Sequence, residues 1–269
     1  MTGLVVTTSV KGVGERAQAM ALAAELGCTF VPRLGRSLEA VAREAGDDID
    51  SVMVVDSSGL SLQRVYEPDA VPFFFHPGMA LNRIKRIDGG SDDYMVEAMG
   101  LSRGMSVLDC TLGLASDAIV SSYVVGDDGR VVGLEASQPV AAIVRHGLSS
   151  YRDVDESVKP SMLRIEVHNC DYASYLAGAE PGSYDVVYFD PMFARPVRSS
   201  PGIAGLRHWA CDECLPMDAL RLAQRAAKAR VVVKDRRGGG TLARLGISNL
   251  VGGRGSNVEY GIVEGVGLV

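Results

Sequence analysis

The sequence predicts an α/β protein: an open, mainly parallel sheet with helices on both faces, a closing antiparallel hairpin, and a small α/β domain ahead of it. Three observations lead there. From about residue 80, strand-like and helix-like segments alternate five times, and such alternation implies a parallel sheet. Within that region VLDCTLGLASD (107–117) reads as a buried strand ending on Asp109, a small-residue turn through Thr111 and Gly113, and a helix from about Ala115. Two later stretches, 131–135 and 185–193, fall where a nucleoside-binding sheet needs them: the first is a buried strand ending on Glu135, and in the second a buried strand runs into Asp190. In sheets of this kind ligands sit outside the carboxyl ends of the strands, where the strand order reverses.

Along the chain, the β-branched run 3–8 predicts a first strand, 15–26 an alanine-rich helix, and Phe30 with Val31 a short strand. Ser37 caps a helix carrying Ala40, Val41 and Ala45, and 51–55 is another buried strand. Residues 1–70 therefore form the small domain. Residues 71–100 are a linker, in which VPFFFHPGMALNRIKR (71–86) runs from an aromatic strand into a basic helix containing Arg83, Lys85 and Arg86. One interpretation makes this a core-plugging hairpin strand and an exposed basic helix; the other makes it a carrier of RNA-facing cations beside the active site. Residues 101–269 hold the main sheet. Its strands are expected at 107–108, 131–134, 163–167, 184–189 and 230–233, with 152–160 as a loop and 246–251 with 257–263 as the terminal hairpin.

Composition narrows the function. The chain has 269 residues, a net charge of −6 and five cysteines. The charge argues against coating nucleic acid by bulk attraction, but basic residues cluster at Arg83, Lys85 and Arg86, at Arg195, Arg198 and Arg207, and at Lys234, Arg236 and Arg237. The last two clusters follow strands and are expected on one rim of the sheet. An odd number of cysteines within apolar segments favours a reducing, cytoplasmic setting. The residues show neither a leader peptide nor a membrane-length apolar run.

The strand ends suggest the chemistry. Glu135 stands roughly twenty residues beyond the glycine turn, where an acid binds ribose hydroxyls; the plainer alternative is a surface glutamate at a helix start. A dinucleotide requires several glycines for close approach of its pyrophosphate, and the turn offers Gly113 alone. S-adenosylmethionine carries no phosphate, and its sulfonium suits a crevice lined by Asp109, Asp117, Asp171 and Asp190. In Asp190-Pro191-Met192-Phe193 an acid, a proline-fixed carbonyl and an aromatic make a receptor for a planar base, though the tetrapeptide also fits a strand-ending turn with Phe193 in the core.

VLDCTLGLASDA, VVGLEAS, HNCD, VVYFDPMF and VVVK, in this order and at these spacings, resemble the RsmJ family, S-adenosylmethionine-dependent guanine-N2 methyltransferases of 16S ribosomal RNA. The resemblance covers residue 74 to the end, and residues 1–70 match loosely. It implies a class I, Rossmann-like methyltransferase sheet. It also implies cofactor contacts at Ser116 and Asp117, at Glu135 with Ala136, and at Cys170 with Asp171, with Asp190 at the methyl-transfer centre. The sequence departs from the family at Ala115, where glycine is usual, and at Ser116 and Ala136, where arginine is usual.

The resulting expectations are these. Asp190, Pro191 and Phe193 are catalytic. Asp109, Thr111, Gly113, Ser116, Asp117, Glu135, Ala136, Cys170, Asp171 and Asp190 bind S-adenosylmethionine. Arg83, Lys85, Arg86, Arg195, Arg198 and Lys234 bind RNA of the small ribosomal subunit. Cys211-Asp-Glu-Cys214 has the spacing of half a zinc site, but no second pair completes it, so no metal is expected. The alternatives are a methyltransferase for another nucleic acid or a small molecule, a non-catalytic RNA-binding protein on the same sheet, and a nicotinamide-dependent oxidoreductase.

Overall fold

The computed structural model describes residues 3–9, 14–67, 70–191 and 215–266. The chain divides into two compact units. Among the described residues one comprises 3–76 and 138–151, the other 77–137, 152–191 and 215–266.

The first unit contains β1 (Gly3–Thr8), α1 (Arg16–Glu25), β2 (Thr29–Phe30), α2 (Leu38–Ala45), β3 (Ile49–Asp56), β4 (Gly59–Arg64) and β5 (Phe73–Phe74). Its sheet runs β2-β1-β3-β4-β5, parallel across the first three strands and antiparallel thereafter. Val5, Val41, Val52 and Val54 form its core. Ser37 caps α2 by accepting the Ala40 N–H, as its position before an apolar-periodic segment predicts. Strand β4 was not expected: its alternating Leu60 and Leu62 are few, and the turn before it hides it. The helix Gln138–Ser150, α6 in chain order, also belongs to this unit. It approaches Phe75 so closely that a Cβ at Gly147 would overlap that ring, and Arg145 pairs with Glu25 at 2.6 Å.

The second unit carries α3 (Gly78–Asp88), α4 (Tyr94–Met99), β6 (Ser106–Asp109), α5 (Ser116–Val125), β7 (Arg130–Glu135), α7 (Lys159–Leu163), β8 (Glu166–Asn169), α8 (Tyr172–Gly178) and β9 (Tyr184–Phe189). After them come α9 (Met217–Ala226), β10 (Ala227–Arg236), α10 (Thr241–Arg244), β11 (Leu250–Val251) and β12 (Val258–Glu264). The strand order is β11-β12-β10-β9-β6-β7-β8. β10, β9, β6, β7 and β8 are parallel, and β12 runs antiparallel to both β10 and β11. This is the expected parallel sheet with its closing hairpin. Leu108, Val132, Val187, Phe189, Val231 and Val233 are buried in its core. Strands covered on both faces read as continuous apolar runs, and each such side chain contributes about 1.5–3 kcal/mol on burial.

One strand is corrected. Leu163 ends helix α7 rather than opening a strand, and part of the expected loop 152–160 is that helix's first turn. Pro160 sits in this first turn, where a missing N–H costs nothing, and β8 begins only at Glu166.

Candidate active site

Sheet order reverses at β6, whose neighbours are β9 on one side and β7 on the other. The carboxyl ends of β6, β7, β8 and β9 therefore lie along one edge of the sheet, where sheets of this kind place the ligand crevice. They carry Asp109, Glu135, Asn169 and, one residue past β9, Asp190.

At the β6 end the Asp109 carboxylate accepts the Thr111 N–H at 3.0 Å and so folds the turn. Burial, with one N–H and Lys234 in opposition and Asp117 and Asp190 adding to it, pushes the Asp109 carboxyl up to about 8. The turn continues through Gly113 and through Ala115, which precedes α5 in the left-handed region at φ 59°. This is where the resemblance leads one to expect glycine, and a Cβ there costs roughly 1–2 kcal/mol.

The β9 side is built from ion pairs. The Asp190 N–H donates to Thr111 Oγ1 at 2.6 Å, and Asp190 Oδ2 accepts from Lys234 Nζ on β10, also at 2.6 Å. Lys234 Nζ donates as well to Asp117 Oδ2 at 3.0 Å. Tyr188 OH donates to the same oxygen at 2.7 Å, while Arg83 Nη1 donates to Asp117 Oδ1. Arg83 grips Asp93 through Nε and Nη2, both at 2.8 Å. Asp93 in turn caps α4 by accepting the Met95 and Val96 N–H groups. Tyr260 stands opposite Lys234 in the β10–β12 pairing.

Electrostatics follow from these partners. Burial pushes the Asp117 carboxyl up, but Lys234, Arg83 and the Tyr188 hydroxyl outweigh it and hold the group well below the usual carboxylate range. Burial drives Lys234 down, and Asp117 with Asp190 more than reverses this, so its ammonium stays charged. Asp190 ends above its ordinary value, because burial and the nearby Asp117 exceed the pull of Lys234.

The β7 and β8 side is built from backbone. Glu135 accepts the Gly113 N–H through Oε2 at 3.2 Å and the Ser137 N–H through Oε1 at 2.8 Å. Burial raises its pKa, against these two N–H groups. Asn169 Nδ2 donates to the Glu135 and Ala136 carbonyls at 2.8 and 3.2 Å. Asp171 caps α8 through the Ser174 N–H, and Cys170 is half-buried beside it.

Asp109, Thr111, Gly113, Glu135, Ala136, Cys170, Asp171, Asp190 and Pro191 thus all lie on strand ends or turns around the crevice, with Ser116 at the head of α5. Arg83 and Lys234, expected to face RNA, are occupied by carboxylates instead, and Asp117 lies among them with a side chain 10% exposed. Lys85 and Arg86 are exposed on α3. Phe193, Arg195, Arg198, Arg207, Cys211 and Cys214 lie outside the described residues. Sequence reasoning missed Asp93, Tyr188, Asn169 and Tyr260. Two of them left a signal: Asp93 precedes a short apolar helix as caps do, and a tyrosine inside a buried strand needs a partner for its hydroxyl.

Residues 38–254 match the model of the family described as "Putative SAM-dependent methyltransferase". The chain belongs to this family. The methyltransferase is 37% identical over 243 residues to "Uncharacterized protein YpiP" of Bacillus subtilis, covering 90% of this chain and 92% of that one. It is 32% identical to "Ribosomal RNA small subunit methyltransferase J" of Cellvibrio japonicus, covering 70% of this chain and 73% of that one. With the protein of the same description from Dechloromonas aromatica it shares 30%, covering 73% and 81%. A crystal structure of a SAM-dependent methyltransferase from Neisseria gonorrhoeae shares the fold at a TM-score of 0.67 and 18% identity, over 99% of this chain and 97% of that one.

The methyltransferase uses S-adenosylmethionine, and its donor set fits that molecule. A carboxylate offers about four acceptor positions, and the two N–H bonds on Glu135 leave room for a diol. Three carboxylates, Asp93, Asp117 and Asp190, face two cations, Arg83 and Lys234. This excess of negative charge suits a sulfonium. Among the described residues no helix is long and apolar enough to cross a membrane.

Proposed function

We propose that this methyltransferase acts in the cytoplasm on an exocyclic amino group of a base in RNA, guanine N2 of small-subunit ribosomal RNA. The observation that carries this reading is Asp190, held by Thr111 and Lys234 at the crevice with its side chain 30% exposed. The printed descriptions of the relatives at 32% and 30% identity support the ribosomal substrate.

In this reading Glu135 holds the ribose hydroxyls, Cys170 and Asp171 border the adenine, and the Thr111–Ser116 turn borders the remainder. When bound, S-adenosylmethionine supplies an electrophilic methyl group on sulfur, open to in-line displacement by a nitrogen lone pair. Asp190 Oδ1 has no hydrogen-bond partner among the described residues, so it is free to accept an N–H of the amino group. That bond localises the nitrogen lone pair and orients it, so catalysis is positioning and electrostatics. As nitrogen gains carbon it gives up a proton, and Asp190 receives it at Oδ1. Its raised pKa makes it a better acceptor than an ordinary aspartate. The base leaves its stack to reach this corner. Phe193 is assigned to stacking on it, and Lys85, Arg86, Arg195 and Arg198 to RNA phosphates.

The test is incubation of the purified protein with methyl-labelled S-adenosylmethionine and small ribosomal subunits or their naked RNA, followed by mass spectrometry of the nucleosides. Labelled N2-methylguanosine is expected. Label in another nucleoside moves the target, and label only in small molecules removes RNA from the reading.

A further inference from the structure

The resemblance assigns Asp117 to the cofactor, and sequence reasoning assigns Arg83 and Lys234 to RNA. The geometry supports neither role. Asp117 already accepts three charged or hydroxyl donors, Oδ1 from Arg83 and Oδ2 from Tyr188 OH at 2.7 Å and Lys234 Nζ at 3.0 Å, and its side chain is only 10% exposed. Arg83 directs Nε and Nη2 at Asp93 and Nη1 at Asp117, and Nη2 also reaches Met95 Sδ at 3.3 Å. Its side chain is 19% exposed. Recruiting either residue to a ligand would strip a buried partner of its counter-charge, which is strongly unfavourable.

We propose that Arg83, Asp117, Tyr188 and Lys234 form a clamp of positioning residues that fixes the Asp190 carboxylate for methyl transfer. The clamp rests on the reading of Asp190 given above and adds to it the residues that make that carboxylate rigid.

A lysine is a compact charge on a flexible four-carbon stem. Bound to Asp190 alone, Lys234 would let that carboxylate turn with it. Bound also to Asp117, its ammonium is fixed between α5 and the end of β9. Asp117 is itself immobilised from three directions, by α3 through Arg83, by β9 through Tyr188 and by β10 through Lys234. Asp93 closes the chain of bonds at the head of α4 by fixing Arg83. One Asp190 oxygen is therefore committed to Lys234, and the other has no partner among the described residues. Misplacement by about 1 Å at a reacting centre costs on the order of a hundredfold in rate, so loosening any member should lower kcat and leave cofactor affinity alone.

Three variants and two readouts test this. Tyr188→Phe removes one hydrogen bond and keeps the ring. Asp117→Asn keeps the shape and removes the charge. Arg83→Lys keeps the charge and removes the fork. The clamp predicts kcat lower by roughly tenfold for Tyr188→Phe and roughly a hundredfold for Asp117→Asn, with the Kd for S-adenosylhomocysteine by calorimetry within about threefold of wild type. Arg83→Lys should fall between them. A Kd weakened tenfold or more in Asp117→Asn with kcat kept would return Asp117 to the cofactor. Should Asp117→Asn not fold, Tyr188→Phe decides: unchanged kcat overturns the clamp. The second readout needs no substrate. The 15Nζ ammonium signal of Lys234, assigned by its loss in Lys234→Arg, should be slow to exchange in the wild type and lost to fast exchange in Tyr188→Phe. If wild-type protein methylates no RNA, the functional reading fails and this signal still judges the clamp. Equal exchange in both proteins overturns it.

Discussion

The two ends of the crevice use the same side-chain chemistry with opposite partners. At the β9–β10 end Asp117 and Asp190 meet cations and a tyrosine hydroxyl. At the β7–β8 end Glu135 and Asp171 meet backbone N–H groups. Charged partners in a buried setting fix a carboxylate and shift its titration strongly. Backbone donors orient a carboxylate and leave acceptor positions open. The first arrangement suits a group that must not move during a reaction, the second a group that must still take up hydroxyls. Asp109 lies between the ends with one N–H, and its carboxyl is pushed up to about 8.

The sharpest way to break this contrast is Asp190→Ala. Methyl transfer should fall roughly a thousandfold or more, while S-adenosylhomocysteine binds within about tenfold of wild type, because the group acts mainly in the transition state. Single-turnover rates with calorimetry check it; unchanged turnover would remove Asp190 from the chemistry. At the other end Glu135→Gln should invert the pattern. It keeps one acceptor and loses the other, so cofactor Kd should weaken about tenfold, or ~1.4 kcal/mol, with kcat at saturation nearly kept.

Asp109 tests the middle through pH. Its folded pKa near 8 exceeds the unfolded value of about 3.9, so between these the folded state holds a proton the unfolded state has released. Stability contributed by this group therefore falls as pH rises from about 4 to 8, by up to ~1.4 kcal/mol per unit. Asp109→Asn cannot titrate, so its urea stability should gain on wild type toward pH 8; parallel curves from pH 5 to 8 would contradict the buried neutral acid. The smallest effect concerns the turn. Ala115→Gly relieves a left-handed alanine at φ 59° and should raise stability by about 0.5–1 kcal/mol after the added flexibility of the unfolded chain, read as a higher Tm.

Much of the second unit was legible because its strands are buried on both faces and end on acids: 107–109, 131–135 and 184–190 lie where the apolar runs stop. Short segments were less legible. Met162, Leu163 and Ile165 suit a helix end as well as a strand, and Pro160 decided for the helix. The association of helix 138–150 with the first unit left no local sign, since Gly147 is informative only once Phe75 is known to lie on it. The site shows the same division. Asp190 and Glu135 could be placed from strand ends alone. The roles of Arg83 and Lys234 could not, because a cation on a helix face or strand end reads as solvent-facing until a carboxylate 34 residues away, or 117 away, is folded beside it.

The most direct measurement is a crystal structure with S-adenosylhomocysteine bound. The account predicts its ribose hydroxyls on Glu135 and its sulfur turned toward the Asp190 corner, with Asp117 still bonded to Arg83 and Lys234. A ribose held elsewhere, or an adenosyl group whose sulfur faces away from Asp190, would contradict it.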